Sequence, residues 1–221
     1  MGFPSPAAVP PVPDYALYLV TDAGLSRGRT HLEVVEAAIK GGVTVVQYRE
    51  KNASTRRMIE EARELCLLCR AAGVPFIVND RLDVALAVDA DGVHVGQDDM
   101  PASLARRLLG ENKILGVSAG SAAEARTAVD DGADYIGASP VFSTPTKPIT
   151  PPPLGTEGLG RLARAVNIPV VAIGGITERN AAAMMECGAA GIAVVSAVVA
   201  AEDVEAAARG LRRAVEKVRN R

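Results

Sequence analysis

One unit recurs along this chain: a helix-like stretch, a glycine, a short apolar run, then polar residues. It appears at Gly41-Gly42 before Val43–Gln47, at Gly73 before Val74–Asp80, and at Asp91-Gly92 before Val93–Gln97. It returns at Gly132-Ala133 before Asp134–Ser139 and at Gly188-Ala189 before Ala190–Ser196. Glycine after a helix supplies the left-handed cap that turns the chain back into a strand. The candidate strands are Tyr15–Thr21, Val43–Gln47, Pro75–Val78, Gly92–Val95, Lys113–Val117, Asp134–Ala138, Pro169–Ile173 and Gly191–Val195, with helical stretches between them. Eight strand–helix units in this length predict an α/β fold, a single (β/α)8 TIM barrel. A doubly wound open sheet is the competing architecture, but no G-x-G-x-x-G opens the first unit.

The helical stretches carry their own signals. Leu32, Val35 and Ile39 share a helical face, Ser121 with Glu124 reads as a capping box, and Thr177 reads as the cap of the seventh helix. The eighth runs from about Glu202 to about Val218. Residues 1–13 contain Pro4, Pro6, Pro10, Pro11 and Pro13 and read as a disordered arm, leaving 14–221 as the catalytic barrel domain. Cys66 and Cys69 form a C-x-x-C, yet they share a helical face with Met58, Ala62 and Leu65, so core packing is expected.

Composition removes several function classes. Lys+Arg 24 against Asp+Glu 26 gives no global basic field for nucleic acid or an anionic membrane surface. Aromatics at 3% with no Trp argue against base-stacking platforms. No apolar run approaches the ~20 residues of a membrane span, and the N-terminus lacks the pattern of a signal peptide. A cytoplasmic protein acting on small molecules is the expectation, with a homo-oligomer left open.

In a barrel, ligands gather where the strands end. Gln47, Arg49 and Lys51 recur every second residue after the second strand and so face one side. Either they meet an anion, or they are a solvated end paired with Glu50 and its neighbours. Asn79 and Asp80 follow the third strand, Gln97, Asp98 and Asp99 the fourth, and Ser118 the fifth. Asp80 and the Asp98/Asp99 pair suit either helix caps or Mg2+; beside Arg49, Lys51 and Lys147 the metal reading gains. The loop 139–156 holds Ser143, Thr144, Thr146 and Lys147 among six prolines and reads as a lid or binding loop. Gly174-Gly175 after the seventh strand and Ser196 after the eighth match a barrel phosphate seat. His31 and His94 read as packed or hydrogen-bonded residues, not as acid or base.

These residues resemble the thiamine-phosphate synthase family in series: QYREK, Asn79-Asp80, DGVHVGQDD, GVS ending at Ser118, the Thr144–Lys147 loop, AIGGI and VVSA. The resemblance implies that hydroxymethylpyrimidine diphosphate loses diphosphate and the nitrogen of a thiazole phosphate takes its place. It implies that Gln47, Tyr48, Arg49, Glu50, Lys51, Asn79, Ser118 and Lys147 hold the pyrimidine diphosphate, with Arg49, Lys51, Lys147 and Ser118 taking part in catalysis. It implies Mg2+ on Asp80 and Asp99, and the thiazole phosphate on Thr144, Pro145, Thr146, Gly175, Val195 and Ser196. Gly120 stands where related sequences often have histidine, and proline follows Thr144 where the family more often places it before. A thiazole tautomerase would draw its proton-transfer histidine from near Gly120, and a non-catalytic paralogue would have lost Asp80, Asp99 or Lys147. An unrelated sugar-phosphate barrel would not need two carboxylates facing three cations.

Overall fold

The short β-branched runs fold as strands because they can be buried on both faces, and the helices that link them cover the outside. A computed structural model describes residues 12–144 and 152–220. Its strands are β1 (Leu17–Val20), β2 (Val45–Tyr48), β3 (Phe76–Asn79), β4 (Gly92–Val95), β5 (Ile114–Ala119), β6 (Tyr135–Ala138), β7 (Val170–Ile173) and β8 (Gly191–Val194). All pair in parallel in chain order, and β1 pairs β8 to close the barrel. The open-sheet alternative therefore falls. Around it lie α1 (His31–Lys40), α2 (Thr55–Ala72), α3 (Leu82–Ala87), α4 (Ala102–Leu109), α5 (Ala122–Asp130), α6 (Gly155–Ala163), α7 (Ala181–Glu186), α8 (Ser196–Val199) and α9 (Val204–Arg219). No helix among the described residues is long and apolar enough to cross a membrane.

Strand alternation divides the interior. Tyr18, Val20, Val45, Ile77, Ile114, Tyr135, Val171 and Ala193 form a cluster inside the barrel. Leu17, Leu19, Val46, Tyr48, Phe76, Val78 and Ile136 point outward into the larger core beneath the helices. Cys66 and Cys69 are buried on α2 with Met58, Ala62 and Leu65, as their spacing implied. Outside the barrel Asp14 meets Arg219 at 2.6 Å and Arg212 at 3.3 Å, tying the chain before β1 to α9.

Some local expectations are corrected. The buried stripe of α1 is Val34, Val35 and Ala38, while Leu32 is 39% exposed, because the helix starts at His31 and turns a different face inward. Thr177 does not cap α7: its N–H donates to Asn180 Oδ1 at 2.8 Å in a turn, and the helix begins only at Ala181. Ser121 caps α5 as expected, but the Glu124 carboxylate accepts from Gly120 N rather than from the cap residue. The last unit holds two helices, since short α8 precedes α9. Almost all of the proline-rich arm, and residues 145–151 of the proline-rich loop, lie outside the described residues.

Candidate active site

At the carboxyl ends of the strands a cavity of about 310 Å³ opens, lined by side chains from all eight strand ends. Gln47, Arg49 and Lys51 all face it, as their even spacing requires. Thr21 Oγ1 accepts from Arg49 N at 2.9 Å, and the Arg49 guanidinium pairs with Asp22 at 2.8 Å. Lys51 Nζ reaches Asp80 Oδ2 at 2.7 Å across to the next strand end.

The parity that turns those three inward turns Tyr48 and Glu50 away. Neither residue is among those that line the cavity. Tyr48 donates to Glu61 Oε2 at 2.8 Å, and Glu50 accepts from the Asn52 and Ala53 amides. With His31 they bring the donor atoms of His31, Glu50 and Glu61 within 4.8 Å of one another, behind the strand end and outside the cleft. Arg57 already pairs with Glu61 there.

Asp80 and Asp99 do face the cleft. Asp80 sits at φ 60, in the left-handed region that aspartate tolerates better than most residues. Its N–H donates to His94 O at 2.8 Å, which fixes this bend against β4. Asp80 caps no helix, since α3 starts at Leu82 without a side-chain cap. Asp99 caps none either: its carboxylate accepts from Gly96 N at 2.8 Å, and α4 opens at Ala102. The helix-cap alternative for these residues is gone. Burial pushes the Asp80 carboxyl up, but hydrogen bonds from Lys51, Asp99 and Asn79 outweigh it and hold it below the ordinary carboxylate value. Asp99 is pushed up, by burial first and then by its bond to Asp80. Two carboxyl groups in contact at one charged mouth fit a hard divalent cation that shares its other sites with water or phosphate oxygens.

Opposite them, Gly174 and Gly175 at φ 103 and 65 let the backbone run where a side chain would collide. A Cβ on Gly175 would come within 2.7 Å of Ser143 O. Asn180 Nδ2 donates to Gly175 O at 3.0 Å and braces the turn. Val195 and Ser196 line the same end, where Ser196 opens α8, and Thr144 lines the wall beside them. Asn79 and Ser118 also line the cavity. Pro145, Thr146 and Lys147 lie outside the described residues.

Sequence reasoning missed four groups. Asp22 follows β1 as one more polar strand end and was legible as such. His94, Tyr18 and Tyr135 line the cavity floor, placed there by strand parity alone. His94 is hydrogen-bonded, as expected, but its bonds run to Ser118 and Tyr135 inside the cleft.

A family model described as "Thiamine monophosphate synthase" matches residues 17–198. A thiamine-phosphate synthase of Chloroflexus aurantiacus is 69% identical over 199 residues, covering 90% of this chain and 92% of that one. One from Syntrophomonas wolfei is 53% identical, covering 92% and 98%. A solved thiamine phosphate pyrophosphorylase from Pyrococcus furiosus superposes with TM-score 0.86 at 46% identity, covering 93% of this chain and 97% of that one.

Proposed function

The chain belongs to the thiamine monophosphate synthase family, and we propose that its barrel mouth joins hydroxymethylpyrimidine diphosphate to hydroxyethylthiazole phosphate, giving thiamine phosphate and diphosphate. The bond from the pyrimidine methylene carbon to the diphosphate oxygen breaks, and its electron pair leaves with the diphosphate. The thiazole nitrogen then donates its lone pair to that carbon, so no protein nucleophile is needed. The hard step is building negative charge on the leaving oxygen. Arg49 and Lys51 stand in the cleft to stabilise it, and Lys147 joins them in this reading. Asp80 and Asp99 would hold Mg2+, which when bound adds positive charge to the same leaving group. Gln47, Asn79 and Ser118 position the pyrimidine. Thr144, Pro145, Thr146, Gly175, Val195 and Ser196 seat the thiazole phosphate.

The observation that carries this reading is that Arg49, Lys51, Asp80 and Asp99 share one cavity with Gly175 and Ser196. Two separate anion-binding ends in a single cleft suit two phosphorylated substrates. The test mixes purified protein with both substrates and Mg2+ and follows thiamine phosphate. Product is expected, is expected to vanish on chelation, and to return with added Mg2+. Absence of product from folded protein would reject the reaction, and turnover indifferent to complete chelation would reject the metal.

A further inference from the structure

A second cavity, of about 640 Å³, lies between the start of α1, the chain after β2 and the first turns of α2. His31, Glu50 and Glu61 all line it, and none of them lines the cleft at the strand ends. His31 is the first residue of α1, set there by the Thr30–Glu33 capping box. Strand parity turns Glu50 to this side, and Glu61 lies on α2. Three segments thus deliver one imidazole and two carboxylates to one point, where the His31 and Glu50 side chains are each only 9% exposed.

The spacing of the donor atoms is that of metal ligands. His31 Nε2 is 3.4 Å from Glu50 Oε2 and 4.0 Å from Glu61 Oε2, and all three atoms lie within 4.8 Å of one another. An imidazole N–H given to a carboxylate closes to about 2.7–3.2 Å. Two ligands of a tetrahedral zinc ion, each about 2.0–2.2 Å from the metal, stand about 3.3–3.6 Å apart. The His31–Glu50 distance fits that edge already. Glu61, on a surface helix with a side chain 24% exposed, has room to close on it.

The carboxylates are also held as ligands are held. Glu50 Oε1 accepts from the Asn52 and Ala53 amides at 2.7 and 3.2 Å, which leaves Oε2 turned to the imidazole. Glu61 Oε1 accepts from Arg57 Nε at 2.8 Å, and its Oε2 accepts from the Tyr48 hydroxyl at 2.8 Å. The Tyr48 ring stands edge-on to His31, with 5.1 Å between ring centres. Outer partners of this kind orient the groups that bind a metal. Burial pushes the Glu50 carboxyl up, but the two amides and the nearby His31 outweigh it and hold it below its ordinary value. The nitrogen donor separates this cluster from Asp80 and Asp99, because imidazole suits zinc where carboxylates and water suit magnesium.

We propose that His31, Glu50 and Glu61 form a zinc site, distinct from the cleft, that clips α1 and α2 to the loop carrying Arg49 and Lys51 and keeps its fourth place for water on the cavity side.

The test is titration of metal-free protein with Co2+ as a spectroscopic stand-in for Zn2+. Four-coordinate cobalt absorbs strongly in the visible, whereas a six-coordinate ion held by Asp80, Asp99 and water is pale, so the two sites read separately. Wild-type protein is expected to develop the strong band, to lose it when Zn2+ is added, and to melt at a higher temperature with Zn2+ than without. His31→Ala and Glu61→Gln each delete a ligand and should weaken cobalt binding by about a hundredfold or more, beyond the ~10–100-fold that an outer partner contributes. Tyr48→Phe keeps all three ligands and should weaken it by about tenfold, which preserves a test should a ligand variant fail to fold. Wild-type protein without the band, or a band that survives in both ligand variants, would overturn the proposal. The readout uses neither substrate, so loss of the zinc site and loss of the proposed reaction are separate results.

Discussion

Asp80 shows how much a single residue can be asked to do. Its backbone is in the left-handed region, its carboxylate meets Lys51, and its neighbour across the mouth is Asp99. Asparagine tolerates the same backbone, so Asp80→Asn should melt like wild type while turnover falls by about a hundredfold or more. An enzyme of full activity would remove Asp80 from the metal site. Lys51→Ala should also cost about a hundredfold in kcat/KM, since one preorganised cation contributes about 3 kcal/mol to charge stabilisation. Here the run QYREK was half legible. The every-second-residue rule that placed Gln47, Arg49 and Lys51 in the cleft also directs Tyr48 and Glu50 to the helix layer. His94 was less legible, because its reach to both Ser118 and Tyr135 depends on the space left by Gly116 and Gly137 on other strands.

At the level of elements, the turn after β7 is the most exacting. Gly175 needs φ 65 and close approach to the 142–143 backbone. Gly175→Ala should therefore lower the melting temperature, by a destabilisation of about 1 kcal/mol or more, and raise the KM for thiazole phosphate above that for the pyrimidine diphosphate. A variant with both values unchanged would mean the turn does not seat the phosphate. The strands were legible because β-branched runs after glycine have few other uses, and only their ends moved, as with Tyr15–Thr21 against Leu17–Val20. Polar end residues leave the ladder to face ligand or solvent, and periodicity does not register that. Short α8 was hidden for a related reason: its four residues are too few to display a repeat.

For the whole molecule, the order of the strands followed from their number, and closure between β1 and β8 removes the open edges that a sheet would expose. Asp14 fastens this seam to α9. Burial raises its carboxyl, but the Arg219 hydrogen bond, the Ala16 amide and the two guanidinium charges bring it below its ordinary value. A depressed carboxylate adds stability above its unfolded pKa of about 4 and loses it as pH falls through the lower folded value. Asp14→Asn should thus be less stable at neutral pH and show a flatter loss on acidification below about pH 4. Parallel acid curves for the two proteins would assign the clamp no weight. The seam also sets Asp14 against Arg219, so the two ends of the barrel are spatial neighbours. A circular permutant that bridges residues 12 and 220 with a flexible linker, and starts instead at the turn around Gly73, would keep every strand pairing and the whole cleft. It should refold and make product at the wild-type rate, because the order in which a ring is threaded is immaterial once it is complete.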